Sequence, residues 1–228
     1  MAKPAKKKAV GVPGEVAAIN KTIRGFLDLG DELGRIVGNS QFGVYAFYDY
    51  DNEPIYVGQT REKLRARIGR HLTNQRTDAV AMNVLDPFEV ASIEVWPIYQ
   101  QDYAGHNLQA VLNDVEFAVF QLVLRQSNIG AVLNEKYIAK QPEIALPASF
   151  RARIIPDGIY EARKHPDIRI ARRASTIANL ARVISERDVS KGLRRTLLTQ
   201  AKRLELLARK RLGEIGGEIP IKSEQEEE

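Results

Sequence analysis

Cysteine is absent from the 228 residues, so no disulfide framework, thiolate metal site or cysteine nucleophile is available. Histidine is scarce: His71, His106 and His165 are the only three, too few for a histidine-rich zinc centre. No apolar stretch approaches the roughly 18 residues of a membrane span. The basic stretch Met1 to Lys8 is not followed by the apolar run of a secretion signal. There is no internal repeat. These absences predict a soluble intracellular protein without a membrane partner, cytoplasmic, and nucleoid-associated if bacterial. What the chain has in excess is positive charge, 34 Lys and Arg against 29 Asp and Glu for a formal +5. That balance favours a polyanionic partner. The length suffices for one good core and a small second module.

Five segments are expected. Residues 1–15 read as a basic disordered arm in which Lys3, Lys6, Lys7 and Lys8 crowd around Pro4. Residues 16–40 carry apolar positions such as Ile19, Ile23, Phe26 and Leu27, the spacing of one or two amphipathic helices, stopped by Gly38-Asn39-Ser40. Residues 41–140 read as strand, turn, strand, helix, strand, helix. The strands are Phe42 to Tyr48, Pro54 to Gly58, and Phe88 to Tyr99. The helices are Glu62 to Leu72 and Leu108 to Gln126, the latter striped by Val111, Leu112, Val115, Val119, Leu122 and Val123. Residues 149–215 form a basic helical extension. Between Arg151 and Ile215, 17 Lys and Arg stand against 7 Asp and Glu, a net of +10. Two helices fit it, Asp167 to Arg187 and Ser190 to Leu212. Residues 216–228 end as an acidic disordered tail. The fold class is therefore α/β (α+β), a small three-stranded mixed sheet flanked by helices, with a helical N-terminal segment.

The block 41–140 holds residues that suit phosphodiester chemistry. Hydrolysis of that bond requires an activated water, neutralisation of the developing charge, a stabilised leaving oxygen and in-line alignment. Two triplets, Gly43-Val44-Tyr45 and Tyr56-Val57-Gly58, lie on adjacent strands joined by the polar, turn-prone Asp49-Tyr50-Asp51-Asn52-Glu53. Arg67 follows eleven residues after Tyr56, and His71 follows Arg67 by four, on one helix face. Glu116 interrupts an otherwise apolar helix. Taken singly each has an ordinary explanation: aromatic rings pack well on strands, and arginine solvates helices. Their order and spacing together carry the weight.

That set, from Gln41 to Asn134, resembles the GIY-YIG nuclease superfamily. The Pro54 to Gly58 run and the Arg67/His71 pair look closest to Eco29kI-like restriction endonucleases. The resemblance implies a metal-dependent DNA endonuclease with Tyr45, Tyr56, Arg67, His71, Glu116 and Asn134 as catalytic residues. Tyr45 would be the general base or position the water, and Tyr56 would bond the phosphate. Arg67 would stabilise the pentacovalent charge, and His71 would accept the tyrosine proton. Glu116 would hold one Mg²⁺ or Mn²⁺. Asn134 is preferred over Asn128 because Ala131-Val132-Leu133-Asn134 fits the local pattern. Gln59 departs from the pattern, since many members have lysine directly after the second glycine. The role is expected to be restriction, defence or mobile-element related; the alternatives are a structure-specific repair or recombination nuclease and an inactive DNA-binding module. One active site cuts one strand, so a double-strand break needs a homodimer or two encounters.

DNA is the expected partner. The residues expected to grip its phosphates are Arg61, Arg65 and Arg70 around the first helix, then Arg172, Arg173, Arg194, Arg195, Lys202 and Arg203 on the basic extension.

Overall fold

The computed structural model describes residues 14–73 and 84–218, without the side chains of His71 and Thr73. The basic arm up to residue 13 and the acidic tail from residue 219 lie outside the described residues. Among the described residues are four strands, β1 (Phe42–Tyr48), β2 (Pro54–Thr60), β3 (Ser92–Ile98) and β4 (Phe150–Arg153). The helices are α1 (Gly14–Leu27), α2 (Leu64–Thr73), α3 (Leu108–Gln126), α4 (Asp157–Arg163), α5 (Pro166–Glu186) and α6 (Lys191–Glu214). No described helix is long and apolar enough to cross a membrane.

The strands form one sheet in the order β2-β1-β3-β4, and every pair is antiparallel. This corrects the expected three-stranded mixed sheet. The extra strand, Phe150-Arg151-Ala152-Arg153, reads locally as part of the basic extension. What makes it a strand is its partner: Arg151 lies opposite Glu94 of β3 and its guanidinium stacks 3.8 Å above the Tyr48 ring. The N-terminal region holds one helix; residues 28–36 leave it and return through a Gly30–Ile36 bridge to a short 3-10 turn, Val37–Asn39.

The β1–β2 hairpin is shaped by its own side chains. Asp49 Oδ1 accepts from the backbone N–H groups of Asp51 (2.8 Å) and Glu53 (3.0 Å). Asn52 takes φ +61°, a left-handed conformation that asparagine tolerates well. Strand period two then sends alternate residues of β1 to opposite faces. Val44, Ala46 and Tyr48 pack on the α3 stripe of Leu112, Val115, Val119 and Val123. Tyr45 and Phe47 share the other cluster with Ile23 and Leu27 of α1, Leu64 and Ile68 of α2, and Leu180, Val183 and Leu193 of α5 and α6. The C-terminal helices thus help form the core beneath the candidate site.

That packing corrects two expected DNA contacts. Arg173 and Arg203 are buried, on the inward stripes of α5 and α6. Asp49 Oδ2 receives Arg173 Nη2 at 2.6 Å, Arg203 Nη2 at 3.2 Å and Arg169 Nη2 at 3.3 Å. Glu89 takes Arg173 Nε at 2.9 Å. Arg203 also donates to the Pro54 carbonyl, and its own carbonyl accepts from Arg173. These arginines neutralise carboxylates inside the fold and present nothing to a nucleic acid.

Candidate active site

Tyr45 and Tyr56 face the same side of the sheet on adjacent strands, with ring centroids 6.3 Å apart. Tyr45 lies opposite Gly58 in the ladder, and its ring covers that glycine. A Cβ on Gly58 would meet Tyr45 Oη at 2.5 Å, Tyr45 Cζ at 2.6 Å and Tyr56 Cε1 at 2.9 Å. The glycine of the second triplet is therefore required by the tyrosine of the first. Gly58→Ala is expected to cost about 1–3 kcal/mol through overpacking and to displace both phenols; thermal melting together with a nuclease assay reads both effects.

Arg67, on α2, donates from Nε to Tyr45 Oη at 3.1 Å. Burial raises the Tyr45 pKa, Tyr56 raises it further, and the Arg67 charge opposes both. Burial likewise raises that of Tyr56. Both hydroxyls therefore hold their protons at neutral pH. The backbone of His71 lies one turn after Arg67 on α2; its side chain falls outside the described residues.

Tyr56, Arg67, Glu116 and Asn134 line a single cleft of about 920 Å³. They come from β2, α2, α3 and the segment after α3. The same cleft is lined by Arg61, Arg70 and Lys136, and by Glu62 and Glu135. Four cations and three carboxylates thus share it. Glu116 is partly buried, and burial pushes its pKa up to about 7, against the pull of a hydrogen bond from Gln59. That bond runs from Gln59 Nε2 to Glu116 Oε2 at 2.9 Å. The residue that departs from the expected lysine is thus the direct partner of the expected metal ligand.

Asn134 acts as a piece of backbone. Its Oδ1 accepts from Val57 N–H at 3.1 Å and its Nδ2 donates to the Val57 carbonyl at 2.7 Å. With Leu133 N–H on the Ile55 carbonyl at 2.7 Å, it closes the outer edge of β2 and holds the strand between Tyr56 and Gly58. Asn128, the alternative, serves the hairpin instead, donating Nδ2 to Glu53 Oε2 at 2.7 Å.

The expected DNA contacts separate by location. Arg61 and Arg70 line the cleft, Arg70 paired with Glu62. Arg65 turns to Asp28 at 3.0 Å and the α1 terminus. Arg172 grips Asp86 through Nε and Nη2. Arg195 braces the cleft wall, donating Nη2 to the Glu135 carbonyl at 2.9 Å. Ser190, the cap of α6, donates to Glu135 Oε1 at 2.9 Å. Arg194 and Lys202 are exposed on α6.

Two site residues escaped the sequence reading, Gln109 and Asn113. With Glu116 they stand at i, i+4 and i+7 on α3, one helical face, and Asn113 Oδ1 takes Gln109 Nε2 at 2.8 Å and Gln59 Nε2 at 3.4 Å. The polar stripe was legible as a period, but its direction towards β2 was not.

Among the described residues, no three His, Asp or Glu side chains converge as a metal cage. A cation such as Mg²⁺ keeps several waters and takes one or two carboxylates plus substrate oxygens. Glu116, an inadequately compensated carboxylate facing an open cleft, fits that demand.

No curated protein and no solved structure matches the chain. Residues 41–103 do match a family model, that of the GIY-YIG catalytic domain. The matched span includes Tyr45, Tyr56, Arg67 and His71; Glu116 and Asn134 lie beyond it and reach the site through the fold. With four separate elements meeting at one cleft and this match beneath them, the stretch 41–103, which carries β1, β2, α2 and β3, is similar to the GIY-YIG catalytic domain.

Proposed function

We propose that the protein is a divalent-metal-dependent DNA endonuclease that hydrolyses phosphodiester bonds. The observation that carries this reading is the convergence of Tyr56, Arg67, Glu116 and Asn134 on one cleft, with Tyr45 bonded to Arg67.

Arg67 has the forked, permanently charged group that suits a phosphate and the charge gathering on its equatorial oxygens. It also holds the Tyr45 hydroxyl. Because Tyr45 is buried and protonated, it serves as a neutral phenol that positions the Arg67 guanidinium at the cleft. Tyr56 bonds the scissile phosphate from the cleft wall. Asn134 fixes the strand that carries Tyr56 and touches no reacting atom. His71 takes up the proton, a role assigned from the resemblance and the one-turn spacing from Arg67. Glu116 would hold Mg²⁺ or Mn²⁺, which when bound neutralises phosphate charge and makes a coordinated water more acidic. Four cations already outnumber three carboxylates in the cleft; a cation at Glu116 would add to the attraction for a phosphate. Arg194 and Lys202, outward on α6, would add sequence-independent phosphate contacts.

The test is purified protein with supercoiled plasmid and Mg²⁺ or Mn²⁺. Nicked and linear products are expected from the wild type. Glu116→Ala should lower the rate by more than about 100-fold, the upper end for the loss of a mere supporting residue. Cutting by Glu116→Ala at the wild-type rate would remove Glu116 from the metal-ligand role. A restriction enzyme of the Eco29kI type cuts the duplex at a fixed site and so yields discrete fragments, whereas a repair nuclease prefers flapped or branched DNA in the same assay.

A further inference from the structure

Tyr137 lines the cleft with Tyr56, Arg67 and Glu116, yet it is 82% exposed and belongs to neither apolar cluster. An exposed aromatic ring is by itself ordinary. This one sits on chain that is anchored on both sides. Before it, Leu133 and Asn134 bond to the edge of β2, and the Glu135 carbonyl accepts from Arg195 Nη2 at 2.9 Å. Helix α6 lies so close there that only a glycine fits at position 192: a Cβ on Gly192 would meet the Glu135 carbonyl oxygen. After it, Ile138 is buried. The backbone is held at 133–135 and again at 138, and the ring between the anchors is left to solvent.

The surroundings define what such a ring meets. Its neighbour Lys136 is exposed, lines the cleft, and makes no ion pair among the described residues. Arg61 and Arg70 line the same cleft. Cations draw in a phosphate chain, and an aromatic face beside them takes a base by stacking. A nucleic acid strand combines both properties. An apolar partner would call for a wider apolar surface, but the exposed residues next in sequence are Lys136, Ala139 and Lys140. The position is close to the reacting centre as well. Asn134 bonds to Val57, the neighbour of Tyr56. From Asn134 to Tyr137 the chain reaches at most about 11 Å, or about three nucleotide steps. Inside an intact duplex both faces of a base are covered by its neighbours. The base must be lifted out before a tyrosine can cover it, and the cost is least where it is already unpaired.

We propose that Tyr137 is a base-stacking residue, and that the DNA it favours carries an unpaired base within about three nucleotides of the cut, as at a flap, a branch or a single-stranded end. This rests on the reading of the cleft as the site of DNA cleavage. The cations hold the backbone, and the ring selects for an unstacked base without reading its identity, since every base has a π-face.

The experiment is binding of labelled flapped and intact duplex oligonucleotides to the full-length protein, followed by fluorescence anisotropy in EDTA so that no cleavage intervenes. The variants are Tyr137→Ala, Tyr137→Trp and Lys136→Ala, all at exposed positions and all expected to melt as the wild type does. The wild type is expected to bind the flapped DNA more tightly. Tyr137→Ala should lose about 5- to 150-fold on the flapped DNA, the range for one base–aromatic stack, and little on the duplex. Tyr137→Trp should keep the wild-type affinity or improve it. Lys136→Ala should weaken both DNAs alike and reduce the salt slope by about one. Tyr137→Ala within about twofold of wild type on the flapped DNA, or an equal loss on both DNAs, overturns the proposal. So does Lys136→Ala losing the flapped DNA selectively, which would assign the preference to charge. A wild type that binds as expected but leaves plasmid uncut in Mg²⁺ or Mn²⁺ overturns the nuclease reading and leaves the stacking role standing. No binding of either DNA at low salt overturns both.

Discussion

Asp49→Asn will lower the unfolding free energy by about 3–5 kcal/mol, the cost of removing one partner from a buried ion cluster. The substitution keeps size and the turn acceptor but deletes the charge. Asp49 is 2% exposed, and its Oδ2 serves Arg169, Arg173 and Arg203, themselves buried. Without that charge, Arg173 and Arg203 share Glu89 alone, and Arg169 leans on Asp51 at 2.7 Å. Arg203→Ala should cost a similar amount. Lys202→Ala, one position along and exposed, should change stability by no more than about 0.5 kcal/mol. Denaturant unfolding of the three variants measures this directly. An Asp49→Asn protein within about 1 kcal/mol of wild type would contradict the cluster as described. The effect is asymmetric: replacing the whole cluster with apolar side chains of matching volume is expected to be near neutral or stabilising. The charges link α5 and α6 to the hairpin through Asp49.

Arg67→Ala is expected to reduce single-turnover DNA cleavage by about 10²–10³-fold, the usual loss when a preorganised donor to transition-state charge is deleted. Arg67→Lys should recover little of it. A lysine carries the charge but not the planar fork, and one ammonium is a poor substitute for a group that engages the Tyr45 hydroxyl and a phosphate together. Tyr45→Phe distinguishes the two functions of the arginine, since it removes the hydroxyl at 3.1 Å and leaves the phosphate contact. Rate measurements on the three variants, normalised to folded protein by circular dichroism, test the assignment. Cleavage by Arg67→Ala within about tenfold of wild type would place the charge-stabilising role elsewhere.

Much of the nuclease-like sheet was legible in the chain because it is encoded locally. β1 and α3 have the expected bounds, since alternation and a helical stripe depend only on neighbours a few positions apart. The hairpin followed from Asp49 to Glu53, whose side chains satisfy their own turn. The order and spacing of Tyr45, Tyr56 and Arg67 suggested a common site for the same reason: two adjacent strands and the next helix leave few ways to separate them. β4 was not legible. Four residues with alternating arginines carry no strand period of their own, and only the ladder to Ser92 through Val95 makes them one.

Charge was the least readable property. The net positive balance of the C-terminal segment pointed outward, as solvated arginines usually do. Arg173 and Arg203 nevertheless lie inside, because Asp49 and Glu89, distant in sequence, meet them there. By itself the sequence determined the hairpin and the longer helices, because each rests on short-range periodicity and turn chemistry; the short helix Asp157–Arg163 carried no such signal. Only the tertiary structure decided which cations are buried, that Gln59 faces Glu116, and that Asn134 clamps β2. Those depend on contacts between residues tens of positions apart, whose geometry no local pattern contains.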